Sequence, residues 1–177
     1  LKSAFKTKNG RTVYDGGGIT PDTTITFEPF SRIAVSLIMN DIINDYAMQY
    51  YAKHEQIAPA GEFVLTDAEY EEFVKFASTR KFDSRSAAQA QLEQMIKSAK
   101  EEGLYDINKE EFKALEEKLS VSKEKMLALK KAEIKPIVEE EIVNKYYFTP
   151  GRVESMLRND LQLHKALECT YSTILPK

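Results

Sequence analysis

The 177-residue chain carries 25 Lys and Arg against 28 Asp and Glu, which gives a formal net charge of −3. This near balance excludes a strongly basic nucleic-acid binder, and an apolar and aromatic content of 42% excludes general disorder. A single cysteine excludes an internal disulfide framework and a cysteine-based zinc site. No apolar run approaches the roughly 18 residues of a membrane-spanning helix.

The first elements are predicted to be two short strands joined by Asn9-Gly10. This dipeptide favours a two-residue type I′ turn, because both residues tolerate positive φ. Such a loop pairs Thr7 with Thr12 and Phe5 with Tyr14, so that all four side chains share one face. A lone hairpin is marginal in water. The strands therefore belong either to a sheet whose other strands lie upstream of this chain, or to a small sheet packed on its helices.

Residues 23–27 alternate between polar and apolar side chains and predict one more short strand. From residue 29 to residue 54, apolar side chains recur at helical spacing and predict one helix with a broad apolar face. If the rest of a larger protein normally covers this face, we expect it to stay partly exposed here and to favour self-association.

Two further helices follow in the middle of the chain. Thr66 and Glu69 form a predicted capping box. A second helix is predicted to start around Ser84 and to end at Gly103, a good residue for a helix C-terminus. The charged segment 106–147 has apolar side chains along one side. It is predicted to pair with the preceding helix as a long antiparallel hairpin.

Two prolines divide the last part of the chain. Pro136 lacks an N–H donor and crowds the preceding turn, so we predict a kink or break near Glu133. Thr149 and Pro150 suit the N-cap and first position of a last helix. The overall prediction is a mainly α fold with a small N-terminal β-hairpin, an α+β helical bundle with a long helical hairpin. The predicted inner side of the last helix consists of Val153, Met156, Leu157, Leu161 and His164.

No catalytic constellation stands out. His54 ends a predicted helix and His164 falls on an apolar face, and neither lies in a recognisable nucleophile motif. Cys169 is expected to be a buried, inert thiol. The glycines at 16–18 lack the spacing of a phosphate-binding loop and indicate a turn. The acidic runs at 110–111 and 139–141 are expected to be solvated helix faces. We predict no catalytic, cofactor-binding or metal-binding residue in this chain.

Two motifs near the start resemble those of the carboxy-terminal processing (tail-specific) serine peptidases. One is a T-x-x-G-R turn, and the other is a G-I-x-P-D segment near the end of the protease core. Residues 45–51 and 141–152 are similar to a helical C-terminal extension in one branch of this family. The matching motif residues are Thr7, Gly10 and Arg11 in the first motif, and Gly18, Ile19, Pro21 and Asp22 in the second.

The resemblance implies that this chain is the C-terminal part of such a peptidase. Residues 1–28 are then the last strands of an incomplete peptidase core, and residues 29–177 form a helical C-terminal domain. In the family, a lysine activates a serine nucleophile, and a PDZ domain captures the C-terminus of the protein substrate. These features lie upstream of both motifs, so the resemblance implies no catalytic pair in this chain.

The expected function is that of a noncatalytic region of a serine endopeptidase, acting in docking, assembly or substrate access. The expected partners are the upstream peptidase core and PDZ domain of the same protein, and the protein or peptide substrate of the intact enzyme. Neither nucleic acid nor a cofactor is expected. The resemblance implies an extracytoplasmic location, in the periplasm or envelope. The alternative is a free-standing helical interaction module whose helix pair, roughly residues 84–147, binds a partner or itself.

Overall fold

A computed structural model describes residues 3–18, 21, 23–26 and 29–169. Two strands and eight helices in this part of the chain confirm the predicted mainly α fold with a small N-terminal hairpin. None of the helices found there combines the length and apolarity needed to span a membrane. The elements are β1 (Ala4–Lys6), β2 (Thr12–Tyr14), α1 (Arg32–Met39), α2 (Ile42–Lys53), α3 (Asp67–Ser78), α4 (Ala87–Glu101), α5 (Lys109–Leu119), α6 (Lys123–Leu129), α7 (Lys131–Leu157) and α8 (Leu161–Glu168).

The chain divides into two compact units. One contains the described residues of 1–28 and 160–177, and the other contains residues 29–159. The first unit therefore includes the hairpin and α8, and the second includes α1 to α7. The predicted division into the last strands of a peptidase core and a helical domain stays a prediction.

β1 and β2 pair antiparallel, with Phe5 opposite Val13. The carbonyl of Thr7 accepts a hydrogen bond of 2.9 Å from the N–H of Gly10, whose φ is 81°. This is the three-residue hairpin loop that places a glycine in the left-handed region. The predicted two-residue turn is wrong, and the register shifts by one residue. Phe5 and Tyr14 consequently lie on opposite faces rather than together.

The predicted strand at 23–27 is wrong for residues 23–26, which form no strand, and Phe27 lies outside the described residues. The prediction of one helix over 29–54 is also wrong in one respect, because the segment forms two helices, α1 and α2. Asp41 has a φ of 55° between α1 and α2. The side-chain amide of Asn40 donates to the carbonyl of Ser36 at 2.8 Å and satisfies the end of α1. Asp and Asn tolerate such local conformations better than most residues.

A single hydrophobic core holds the second unit together, and α7 packs along α2 inside it. Its centre is aromatic, since the ring of Phe73 meets that of Tyr46 edge-on at 5.2 Å. The buried hydroxyl of Tyr70 donates to the carbonyl of Leu127 at 2.9 Å, which joins α3 to α6. The largest fully buried side chains are Tyr70, Phe73, Ile33, Leu37, Leu65, Leu127, Ile134, Ile142, Val138 and Val143.

Helices α4 and α5 pair with each other outside this core, and we call them the arm. Leu92 and Ile96 of α4 are buried but do not belong to the main core, and α5 has no buried residue. The predicted pairing of 106–147 with the preceding helix is correct only for α5. The segment breaks between Leu119 and Lys123, where Ser122 caps α6, and α7 packs on α2 instead.

Two local predictions of helix ends are confirmed. The hydroxyl of Thr66 accepts from the N–H of Glu69 at 3.2 Å, and the Glu69 carboxylate accepts from the N–H of Thr66 at 2.7 Å. Gly103, which follows the C-cap residue Glu102 of α4, has a φ of 73°. The N-cap of α4 is Ser86, two residues after the predicted start, because Ser86 and Gln89 form a second capping box.

Helix α7 bends at Phe148, where φ is 54° and ψ is −160°, and it is regular around Pro136. The predicted break near Glu133 is therefore wrong. The break lies at Lys130, with φ of −101° and ψ of 15°, between α6 and α7. The carbonyl four residues before Pro136 consequently falls in the first turn of α7, where the hydrogen-bond ladder has just begun.

After Phe148, a second helical segment continues to Leu157, as Thr149-Pro150 predicts. Gly151 is buried there, and an added Cβ would collide with the Cβ of Tyr147. The predicted inner side is wrong, because Gly151 and Ser155 are the buried residues of this segment, and α8 is a separate helix. The side chains predicted to face inward are exposed: Val153, Met156, Leu157, Leu161 and His164.

Candidate functional site

Of the residues considered for nucleophilic chemistry, His54 packs on a neighbouring ring, whereas His164 and Cys169 are exposed or partly exposed. The ring of His54 stacks on that of Tyr50, with centroids 4.0 Å apart, and His54 Nδ1 lies 2.9 Å from the Tyr50 carbonyl oxygen. His164 is exposed on α8. Cys169 is partly exposed rather than buried, and its Sγ lies 4.0 Å from the Thr23 hydroxyl. The absence of catalytic residues from this chain stays a prediction.

The acidic runs differ from the prediction at one position. Glu139 is only 3% exposed, so the expectation of a solvated face is wrong for this residue. The other two residues of this run are partly buried and paired, Glu140 with Arg152 at 2.6 Å and Glu141 with Lys145 at 2.5 Å. Within the described ranges, no group of three His, Cys, Asp or Glu residues could hold a metal ion.

Glu139 joins three separate segments of the second unit. One carboxylate oxygen accepts from the N–H of Leu65 at 3.0 Å, and the other accepts from the guanidinium of Arg158 at 2.7 Å. Arg158 also donates to the carbonyl of Phe63 at 2.6 Å. Burial raises the pKa of Glu139, although the hydrogen bond from Leu65 and the charge of Arg158 oppose this. Both oxygens of the buried carboxylate therefore accept a hydrogen bond. Through Arg158, Glu139 links the end of α7 to the part of α7 that precedes the bend.

A cleft of about 570 Å³ opens beside Glu139. One cation in its wall is Lys135, whose Nζ lies 3.8 Å from a Glu139 oxygen. A second is Lys131, which already pairs with Asp67 at 2.8 Å. The remaining lining is largely apolar. Among the lining residues are Val64, Ala128, Leu129, Ala132, Pro136 and Arg158.

A stripe of large apolar side chains lies on the exposed side of α1 and just before it. We define the α1 stripe as Phe30, Val35, Ile38 and Met39, all of which are exposed. The last three are spaced three and four residues apart and so share one helix face. The opposite face of α1 is buried in the core. This arrangement agrees with the predicted partial exposure of the apolar face, whereas self-association stays a prediction.

The border of the α1 stripe is polar and ordered. Arg32 pairs with Asp83 at 3.2 Å, and the Asp83 N–H donates to the hydroxyl of Ser36 at 2.9 Å. Asp83 also accepts from Arg85 at 2.8 Å, and the hydrogen bonds from Arg85 hold the pKa of Asp83 well below its usual range. A hydrophobic patch with a polar rim is the usual composition of a protein interface.

Comparison with known proteins gives one match. The family described as the C-terminal helical domain of a probable PDZ-protease matches residues 33–169. No curated protein and no solved structure matches the chain. The matched range contains the whole arm, the cleft and most of the α1 stripe, and it confirms the resemblance to the C-terminal region of a processing protease. The chain therefore belongs to the family of C-terminal helical domains of probable PDZ-proteases.

Proposed function

We propose that this chain is the noncatalytic C-terminal region of a carboxy-terminal processing serine endopeptidase. In this proposal, the helical unit docks on the upstream peptidase core of the same protein through the α1 stripe. The family match supports the link to a PDZ-protease. The T-x-x-G-R and G-I-x-P-D motifs near the start support the narrower assignment to a tail-specific enzyme with a serine and lysine pair upstream.

The α1 stripe is the observation that carries the docking proposal. Met39 is 77% exposed, and the other three members are also solvent-exposed. Removing such surface from water is favourable roughly in proportion to the area buried. α1 also follows the strand segment in the sequence, so a covalent link tethers it to that segment. Tethering of this kind gives a high effective concentration, and a modest interface then suffices for docking.

The docking proposal is tested by thiol labelling in a Cys169→Ser background. Met39→Cys should react readily with a maleimide in this chain and at least about tenfold more slowly in the full-length gene product, where the stripe is covered. Ile107→Cys is the matched control, because Ile107, between α4 and α5, is equally exposed, at 76%. It should react at the same rate in both proteins. Equal reactivity of Met39→Cys in both would overturn the proposal.

We also propose an extracytoplasmic location for the full-length protein. The resemblance to periplasmic and envelope peptidases supports it, and the single cysteine is compatible with it. Fractionation of cells that express the full-length gene should recover the protein outside the cytoplasm. Recovery with cytoplasmic markers would contradict this part of the proposal.

The arm favours a second candidate function, that of a helical interaction module. Its side chains stand outside the main core, and Met95 and Leu115 remain exposed beside its apolar seam. The two candidates differ in their gene context. An upstream PDZ domain and serine-lysine core in the same reading frame favour the peptidase, and their absence favours the free-standing module.

A further inference from the structure

The cleft beside Glu139 contains a cation with unused hydrogen-bond donors. The side chain of Lys135 is only 21% exposed, and its 3.8 Å approach to Glu139 is too long for a hydrogen bond. Within the part of the chain that the structure describes, its ammonium group donates no hydrogen bond. The Lys135 ammonium has three donors and faces the water of the cleft, so a ligand acceptor can replace water on them. Lys135 is therefore suited to meet a further acceptor.

The charges around Lys135 favour a negatively charged acceptor. The single carboxylate of Glu139 faces two cations, Lys135 and Arg158. Arg158 directs its donors to Glu139 and to the carbonyl of Phe63, which leaves one positive charge in excess. Lys131 already pairs with Asp67 at 2.8 Å and Lys130 with Glu133 at 3.7 Å, so the excess charge lies on Lys135.

The walls of the cleft narrow the choice of anion. Val64 and Leu129 line it and are both exposed, and Pro136 adds more apolar surface. A small inorganic anion would leave these walls in water. A carboxylate that is attached next to an apolar side chain satisfies both the cation and the walls. A volume of about 570 Å³ has room for a few peptide residues and not for a folded domain.

We propose that this cleft binds an acidic peptide segment in which a carboxylate lies beside an apolar side chain. The ammonium of Lys135 donates to the carboxylate, and Val64 and Leu129 contact the apolar side chain. Glu139 and Arg158 position Lys135 and the wall around it. This site shares no residue with the α1 stripe. Peptide binding and docking on a peptidase core are therefore tested by different measurements, and either can fail without the other.

The test is fluorescence anisotropy of labelled, N-acetylated octapeptides with the intact chain. The first peptide carries an internal Asp-Leu pair and an amidated C-terminus. The second has Asn in place of Asp and ends in Leu with a free carboxylate. The third has Asn and an amidated C-terminus, so it lacks both carboxylates. The first two peptides distinguish a side-chain carboxylate from a chain terminus as the recognised group.

At least one carboxylate peptide should bind at least about tenfold more tightly than the third, the size of effect expected for a hydrogen bond to a charged group. Lys135→Gln should abolish this preference. Lys113→Gln is the control, because Lys113 also makes only a long ion pair, 3.7 Å from Glu110, and it lies on the arm. Leu129→Ser removes apolar surface at an exposed position of the wall. It should weaken the binding of a peptide whether or not the peptide carries a carboxylate.

Thermal unfolding of each variant identifies any loss of fold. If Lys135→Gln unfolds, the proposal is tested by the Leu129→Ser result and by the relative affinities of the unmodified chain for the three peptides. Equal binding of all three peptides, no binding of any, or an undiminished carboxylate preference in a folded Lys135→Gln variant would each overturn the proposal.

Discussion

The main core of the second unit and the arm are both helical, yet they are held together differently. In the core, buried hydrogen bonds join distant segments, as from Tyr70 to Leu127 and from Leu65 to Glu139. In the arm, a few apolar side chains line one seam, and the other contacts include one capping box, one stacked ring pair and exposed ion pairs. Regions with few buried contacts open at lower free energy. We therefore expect the core to unfold cooperatively and the arm to open locally.

The largest expected effect is that of emptying the centre of the core. Phe73→Ala removes a fully buried ring that contacts those of Tyr46 and Tyr70. It should lower the free energy of unfolding by about 3–5 kcal/mol in urea titrations. Phe112→Ala in the arm removes a half-buried ring stacked on Tyr105 and should cost about 1 kcal/mol or less. Equal losses would contradict the distinction between the two regions.

Breaking the buried ion pair should come next. Arg158→Met leaves Glu139 buried without its strongest partner and should cost about 3 kcal/mol of unfolding free energy. The double variant Glu139→Met with Arg158→Met should regain most of this loss, because no charge is then left unpaired. A double variant no more stable than Arg158→Met would show that the residues pack independently.

The two capping boxes give a matched pair of smaller changes. Thr66→Ala and Ser86→Ala should each cost about 1 kcal/mol of local helix stability. Because Thr66 caps a core helix, its loss should speed amide exchange throughout the core helices α1 to α3, α6 and α7. Loss of Ser86 should speed exchange only within the arm. Hydrogen exchange with mass spectrometry separates the two patterns, and a global effect of Ser86→Ala would contradict the local opening of the arm.

The smallest expected effect is a pH dependence from Glu139. Burial raises its pKa above the ordinary value of 4.5, so the folded state binds this proton more tightly than the unfolded state does. Between the ordinary and the raised pKa, stability from this group rises as the pH falls. The unmodified chain should therefore gain stability relative to Glu139→Gln as the pH falls from 7 towards 4.5. Unfolding titrations at several pH values measure this, and a difference that is independent of pH would contradict it.

The parts of the fold that depend on neighbouring residues could be predicted from sequence. The capping box at Thr66 and the glycine at the end of α4 follow from hydrogen bonds within one turn. The exposed stripe of α1 follows from apolar residues too numerous for one buried face. The hairpin register could not be derived, since Asn9-Gly10 suits both a two-residue and a three-residue loop and only the second places glycine alone at positive φ.

Features that depend on tertiary packing could not be predicted from the sequence. The break at Asp41 has no proline or glycine at its centre, whereas the bend at Phe148 directly precedes Thr149-Pro150, which predicts a new helix start. The cleft draws Val64, Leu129 and Lys135 from segments far apart in the chain. Only Glu139 left a signal, because it lies beside Val138 and three residues before Ile142, within the apolar stripe of α7. A charge in that position indicates a buried partner rather than a solvated face.

The central claim is that this chain serves a peptidase without being its catalytic part. The most direct measurement compares the hydrolysis of one unfolded protein substrate by this chain and by the full-length product of its gene. The account predicts cleavage by the full-length product alone, with labelling of its active-site serine outside the sequence described above. Robust cleavage by this chain alone would contradict the account and would require a catalytic pair among residues to which we assign structural roles.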